Sequence, residues 1–140
     1  MDRRLTLFAA LLGFTGVAFG AFGAHGAKGF VEGLPDAAQR LAWWDTGARY
    51  HLIHALAVGL TAVLGANVTS RFPWYAALAF TSGTLLFSGS LYVMTLTGAR
   101  GLGVVTPFGG AAFLGGWLAF ALAARGLGRQ KETTPRPGEP

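Results

Sequence analysis

The chain has no cysteine in its 140 residues, and only 12% of them are charged. The first absence excludes disulfides, thiolate metal centres and cysteine nucleophiles. The second leaves about half the charged share of an ordinary soluble domain. A soluble fold of this size needs more polar surface than that to cover itself. Hydrophobic residues supply 52% of the chain instead. The formal net charge of +5 would suggest nucleic acid in a soluble protein. Here Lys and Arg gather at the chain ends and connections, which fits membrane orientation, so no nucleic-acid partner is expected.

Four apolar segments are each close to the ~20 residues needed to cross a bilayer core. They run over about residues 5–24, 50–66, 74–97 and 104–124, and none has Asp, Glu, Lys or Arg in its interior. Backbone groups without water must satisfy one another, so each segment is expected to be a helix. No alternating barrel pattern is present. The first run follows "MDRR" and resembles a secretion signal, but it exceeds the ~7–15 residues of a signal core and reads as a span. The fold class predicted is therefore all-α: a polytopic membrane protein with four transmembrane helices in a compact bundle, residues 1–126. The polar, proline-rich residues 127–140 are expected to form a disordered cytoplasmic tail.

Between the first two runs, Pro35 to Ala48 places Leu34, Ala37, Leu41, Trp44 and Ala48 on one helical face, with Asp36 and Arg40 on the other. This predicts an amphipathic helix lying along the interface before the second span, anchored by Trp43 and Trp44 and running into that span. Asp45 and Arg49, four apart, suit a helix-surface ion pair. "NVT" at Asn67 matches a glycosylation triplet and reads as a chance occurrence. Arg3, Arg4, Arg71, Arg125, Arg129, Lys131 and Arg136 fall on one side of the membrane. The other side carries Lys28, Arg40, Arg49 and Arg100, offset by three acids. Both termini are therefore expected in the cytoplasm, at a bacterial inner membrane.

Small residues recur at three- and four-residue spacing in the first helix (Gly13, Gly16, Gly20, Gly23) and the fourth (Gly109, Ala112, Gly116, Ala119, Ala123). Such ridges let helix backbones approach closely where lipid offers no drive for association. Leu12 is expected to face lipid. The third helix carries Thr81, Thr84, Ser88, Tyr92 and Thr95 in one stripe, a pattern suited to hydrogen bonds between helices.

The polar groups concentrate at one end of the bundle. His25 follows the first span, "RYHLIHAL" opens the second, Ser88, Ser90 and Tyr92 lie in the outer half of the third, and Thr106 starts the fourth. Tyr50, His51 and His54 share a helix face, while Arg49 turns towards the interface. Polar groups at membrane depth are functional candidates. We therefore treat His25, Tyr50, His51, His54, Ser88, Ser90, Tyr92 and Thr106 as a candidate ligand-binding pocket, with structural hydrogen bonding as the plain alternative. A metal site is not expected, because no carboxylate accompanies the histidines inside the membrane. Haem is not expected either, since His25 alone could pair with His51 or His54 from another helix. The site reading includes no cofactor.

Four stretches in order, "GAFGAHG", "RYHLIHALA", "FSGSLY" and "TPFGG…GW", resemble the domain of unknown function 423 family, small bacterial inner-membrane proteins similar to a eukaryotic transmembrane family. The resemblance spans about residues 5–124. It implies a four-helix membrane protein and marks Arg49 and Pro107, beside the eight candidates, as positions of the family pattern. It brings no activity or catalytic residues. With no nucleophile–base pair in sight, a non-enzymatic role is expected. The chain would serve as an accessory subunit or a small-ligand binder, in the lipid bilayer and in a homo-oligomer or larger membrane complex. The alternative is a small transporter or proton relay through the His, Tyr and Ser cluster.

Overall fold

A computed structural model describes residues 3–127, and every regular element among them is helical. Residues 128–140, expected as a tail, lie outside the described residues. Four helices are long and apolar enough to cross a membrane. We label them α1 (Arg3–Val31), α2 (Ala37–Gly65), α3 (Phe72–Thr97) and α4 (Thr106–Ala124), the last preceded by a 3-10 turn over Arg100–Val104. The inner pair is α2 and α3, whose most apolar stretches are 56% and 50% buried, against 11% for α1 and 17% for α4. Accordingly α1 packs mainly along α2, and α4 mainly along α3.

Two helices are longer than their hydropathy implied, for different reasons. In α1 a π-turn over Gly23–Ala27 carries the helix past Ala24 to Val31. A side chain at Gly23 would strike the Trp44 indole, so this glycine sets how closely α1 and α2 approach. In α2 the amphipathic segment and the span are one 29-residue helix. At ~1.5 Å per residue it is about 44 Å long, well beyond a ~30 Å hydrocarbon core.

The expectation that Pro35–Ala48 lies along the interface is corrected by its packing. Its apolar stripe faces protein: Trp44 and Ala48 are buried with Ala27 and Tyr92, and Leu41 packs on the same cluster. Trp44 is therefore no headgroup anchor. It is 3% exposed, and its Nε1–H donates to Phe19 O at 2.8 Å. An amphipathic stripe shows that one face is covered, and here the cover is α1 and α3.

Asp36 and Arg40, expected on the solvent face, close the same end of the bundle. Arg40 Nε donates to Asp36 Oδ1 at 2.9 Å, and Arg100 donates to Asp36 Oδ2 at 3.1 Å. Arg40 also donates to Thr95 O, while Thr95 Oγ1 contacts Arg40 O at 2.9 Å, so α2 and the end of α3 hold each other. Hydrogen bonds from Arg100, then from Arg40, keep the Asp36 carboxyl below its ordinary pKa. Gly98 is needed twice at this junction. It ends α3 at φ +74, and any side chain there would strike the Arg40 guanidinium.

The small-residue ridges divide by face. Gly16 lies under Leu52 and Gly23 under Trp44, whereas Gly13 and Gly20 meet open space. On α4, Gly109 lies against the Phe87 backbone and Gly116 under the Phe80 ring. Gly83 of α3 completes this seam beneath Phe113, so glycine backbone and aromatic faces alternate along the α3–α4 contact. Leu12 is only 9% exposed and belongs to the core with Leu5, Val58 and Phe80. The lipid-facing neighbour is Leu11, 60% exposed.

Candidate functional site

The polar groups gathered at one end of the bundle do not converge on one pocket. Three residues separate His51 from His54 on α2, about 60° around a helix of 3.6 residues per turn. That rotation sends them to different neighbours.

His51 faces α1 and α3. Its Nε2 lies 3.3 Å from Thr15 Oγ1 and its Nδ1 lies 3.3 Å from Tyr92 Oη. Donor accounting orders this chain. Thr15 has one hydroxyl proton, and the carbonyl of Leu11, 2.9 Å away, can only accept it. Thr15 Oγ1 then accepts from His51 Nε2–H, and the bare Nδ1 accepts from Tyr92 O–H. For a neutral imidazole the result is a directional run, Tyr92 to His51 to Thr15 to Leu11 O, linking three helices. Phe19, Trp44 and Tyr92 pack around it, with ring centroids 4.8 Å apart for Phe19–Tyr92 and 4.6 Å for Trp44–Tyr92.

His54 faces α4 with the opposite tautomer. Its Nδ1 lies 2.8 Å from Tyr50 O, a carbonyl that can only accept, so the proton sits on Nδ1. The ring stacks on Phe113 with centroids 3.5 Å apart and planes 9° apart. Phe80 and Trp117 enclose it at 5.5 Å and 6.2 Å. The Tyr50 ring is partly exposed and rests on Phe87 at 4.6 Å.

The remaining candidates divide among helix contacts. Ser90 Oγ donates to Phe87 O at 2.9 Å, so its 2.8 Å contact with Thr106 Oγ1 is donated by Thr106, pinning the start of α4 to α3. Ser88 is fully buried at the end of a π-turn over Thr84–Ser88. Its carbonyl lies 3.4 Å from where a Gly47 side chain would begin, so a small residue at each position lets α2 and α3 close together. Among the described residues its Oγ is the one buried side-chain N or O atom without a hydrogen-bond partner. His25 is exposed on the π-turn of α1 and joins none of these groups. Arg49 is exposed and pairs with Asp45 at 2.7 Å. Pro107 opens the first turn of α4.

Most of the hydroxyl stripe of α3 stays inward across the π-turn: Thr84, Ser88, Tyr92 and Thr95 are all buried, and Thr84 and Tyr92 line the same side of the helix, though their hydrogen bonds differ. Thr84 donates to Phe80 O of its own helix, whereas Tyr92 and Thr95 reach α2. Sequence reasoning missed Thr15, which is one unremarkable threonine in an apolar run.

One concavity does meet these groups. A groove of about 280 Å³ between α1 and α3 is lined by Leu11, Thr15, His51, Leu85, Gly89 and Tyr92, among others. Its wall is almost wholly apolar, and the residues of the His51 chain meet it through carbon. Among the described residues no three His, Asp or Glu side chains gather as metal ligands.

A polytopic all-α membrane protein, with polar groups towards one end tying its helices together, is the class that this fold and site define. Residues 19–110 match the model of a family described as protein of unknown function (DUF423), and the chain belongs to that family. It is similar to the UPF0382 inner membrane protein YgdD of Escherichia coli (strain K12), 39% identical over 133 residues covering 92% of this chain and 95% of the relative. A UPF0382 membrane protein of Haemophilus influenzae (strain ATCC 51907 / DSM 11121 / KW20 / Rd) is 38% identical over 121 residues, 86% and 93% of the two chains. The UPF0382 membrane protein YwdK of Bacillus subtilis (strain 168) is 38% identical over 123 residues, 84% and 93%. No solved structure matches the chain. The family resemblance carried by the four motifs is thus borne out.

Proposed function

We propose that this chain is a non-enzymatic inner-membrane protein that binds a small lipophilic molecule in the α1–α3 groove. The observation that carries the reading is an almost wholly apolar groove of about 280 Å³, lined through carbon by Thr15, His51, Thr84 and Tyr92, whose polar atoms are spent on hydrogen bonds behind its wall. Small-molecule sites are concave and mostly apolar. A ligand with an apolar body and one hydrogen-bonding head suits it. Its body would lie against Leu11 and Leu85, and its head would stay at the open edge of the groove.

The proton-relay reading has less support. The ordered chain ends on a backbone carbonyl. In the inner half, Thr61 and Thr84 donate to Val58 O and Phe80 O of their own helices, which leaves no onward hydroxyl step from these two. An accessory role remains compatible with ligand binding and would show as co-purification with a larger complex.

Gly89 provides the test. It lines the groove, and a Cβ there would meet nothing within 4 Å, so Gly89→Leu fills the groove without striking the protein. Organic extracts of the purified protein should contain one lipophile at near-stoichiometric amount in the wild type and little in Gly89→Leu. Equal recovery from both, or none from the wild type, would reject the reading.

A further inference from the structure

A second groove, of about 500 Å³, lies between the outer half of α1 and the first turns of α2. It and the α1–α3 groove occupy different faces of α1, flanking the line along which α1 packs on α2. Its floor is Gly20, Gly23 and Ala24, and its far wall is Leu41, Trp44, Ala48 and Leu52. Lys28, Asp45 and Arg49 stand at its rim.

The rim has a definite charge pattern. Asp45 Oδ2 holds one terminal nitrogen of Arg49 at 2.7 Å, which leaves the remaining guanidinium donors available. Lys28 makes no hydrogen bond or ion pair among the described residues. Two cations against one carboxylate give the rim one net positive charge.

Depth decides between a soluble anion and a lipid. Below Arg49 the apolar run of α2 over residues 50–66 begins, and Lys28 lies near the outer end of α1. The cations therefore sit where headgroups meet hydrocarbon; Leu41 and Trp44 line the groove outward of Arg49, and Ala48, Gly20 and Leu52 continue it as a trough past the cations into the hydrocarbon. A free phosphate would use the rim and leave the trough empty. A phospholipid uses both, and anionic headgroups draw Lys and Arg at this level.

We propose that the α1–α2 groove binds one anionic phospholipid, its phosphate on Lys28 and Arg49 and one acyl chain lying over Gly20. The floor is open at Gly20, where a Cβ would meet nothing within 4 Å. A larger residue there occupies the trough without displacing protein. This site is independent of the α1–α3 groove, and each can fail alone.

The test is native mass spectrometry of the full chain released from nanodiscs holding equal phosphatidylglycerol and phosphatidylcholine with matched acyl chains. The wild type should retain one lipid, with phosphatidylglycerol favoured about fivefold, as expected for one net surface cation. In Lys28→Gln/Arg49→Gln, two exposed substitutions that leave the core untouched, the preference should fall to parity. In Gly20→Leu, retention of both lipids should be lost. Equal retention of the two lipids by the wild type would overturn the proposal. So would an undiminished preference in the double variant, or wild-type retention in a folded Gly20→Leu.

Discussion

Gly109→Ala should destabilise the bundle far more than its size suggests. The new Cβ would lie 2.7 Å from Phe87 Cβ and 2.8 Å from Phe87 Cα, whereas ordinary contact begins near 3.4 Å. The obstacle is largely backbone, so no rotamer change relieves it. Helix α4 must move back from α3 by more than half an ångström along the seam of Gly83, Phe113, Gly116 and Phe80. Overpacking of this kind costs about 1–3 kcal/mol. Gly115→Ala is the matched control, because nothing lies within 4 Å of its Cβ position. Removing a glycine there should leave stability unchanged or raise it by up to ~1 kcal/mol. Unfolding in mild detergent, followed by helical circular dichroism against added dodecyl sulfate, reads the difference. A gap of about 2 kcal/mol is expected between the two variants. Equal midpoints would refute the claim that α3 and α4 meet at backbone distance.

Trp44→Phe keeps the aromatic packing and removes the donor to Phe19 O, so it should cost about 1 kcal/mol. The same change at half-buried Trp43 should cost little, and the same assay compares them. Asp36 carries a carboxyl whose pKa is lowered by Arg100 and Arg40. Its contribution is present above the ordinary carboxylate value and is lost as pH falls through the lowered one. The stability gap between wild type and Asp36→Asn should therefore shrink on acidification, and a gap that widens would contradict the pairing. For orientation, a carboxyl-terminal reporter active only in the cytoplasm should be active, given the Lys and Arg bias.

The spans were legible because hydropathy over ~20 residues averages away local detail. Continuity was not legible. "GAHGA" reads as a helix end, yet a π-turn carries α1 through it. The Leu41, Trp44 and Ala48 stripe reads equally well against lipid or protein, because both are apolar. The glycine ridges were half right for a related reason: spacing shows which residues share a face, but not whether a partner helix lies there. Gly16 and Gly23 meet α2, while Gly13 and Gly20 do not. For the site, sequence located the depth of the polar groups and misjudged their convergence. Only His51 and Tyr92 of the eight candidates line the α1–α3 groove; its other polar members are Thr84, which belonged to the α3 stripe, and Thr15, which carries no sequence signal of its own. The separation of His51 from His54 was available from helix geometry. The π-turn over Thr84–Ser88 was not.

Photocrosslinking in intact membranes tests the binding reading most directly. A benzoylphenylalanine placed at Leu85, 68% exposed and lining the α1–α3 groove, is compared with one at Leu114, 74% exposed on α4. The account predicts one dominant small-molecule adduct at residue 85 and a mixture of bulk phospholipids at residue 114. The same phospholipid mixture at both positions would contradict it.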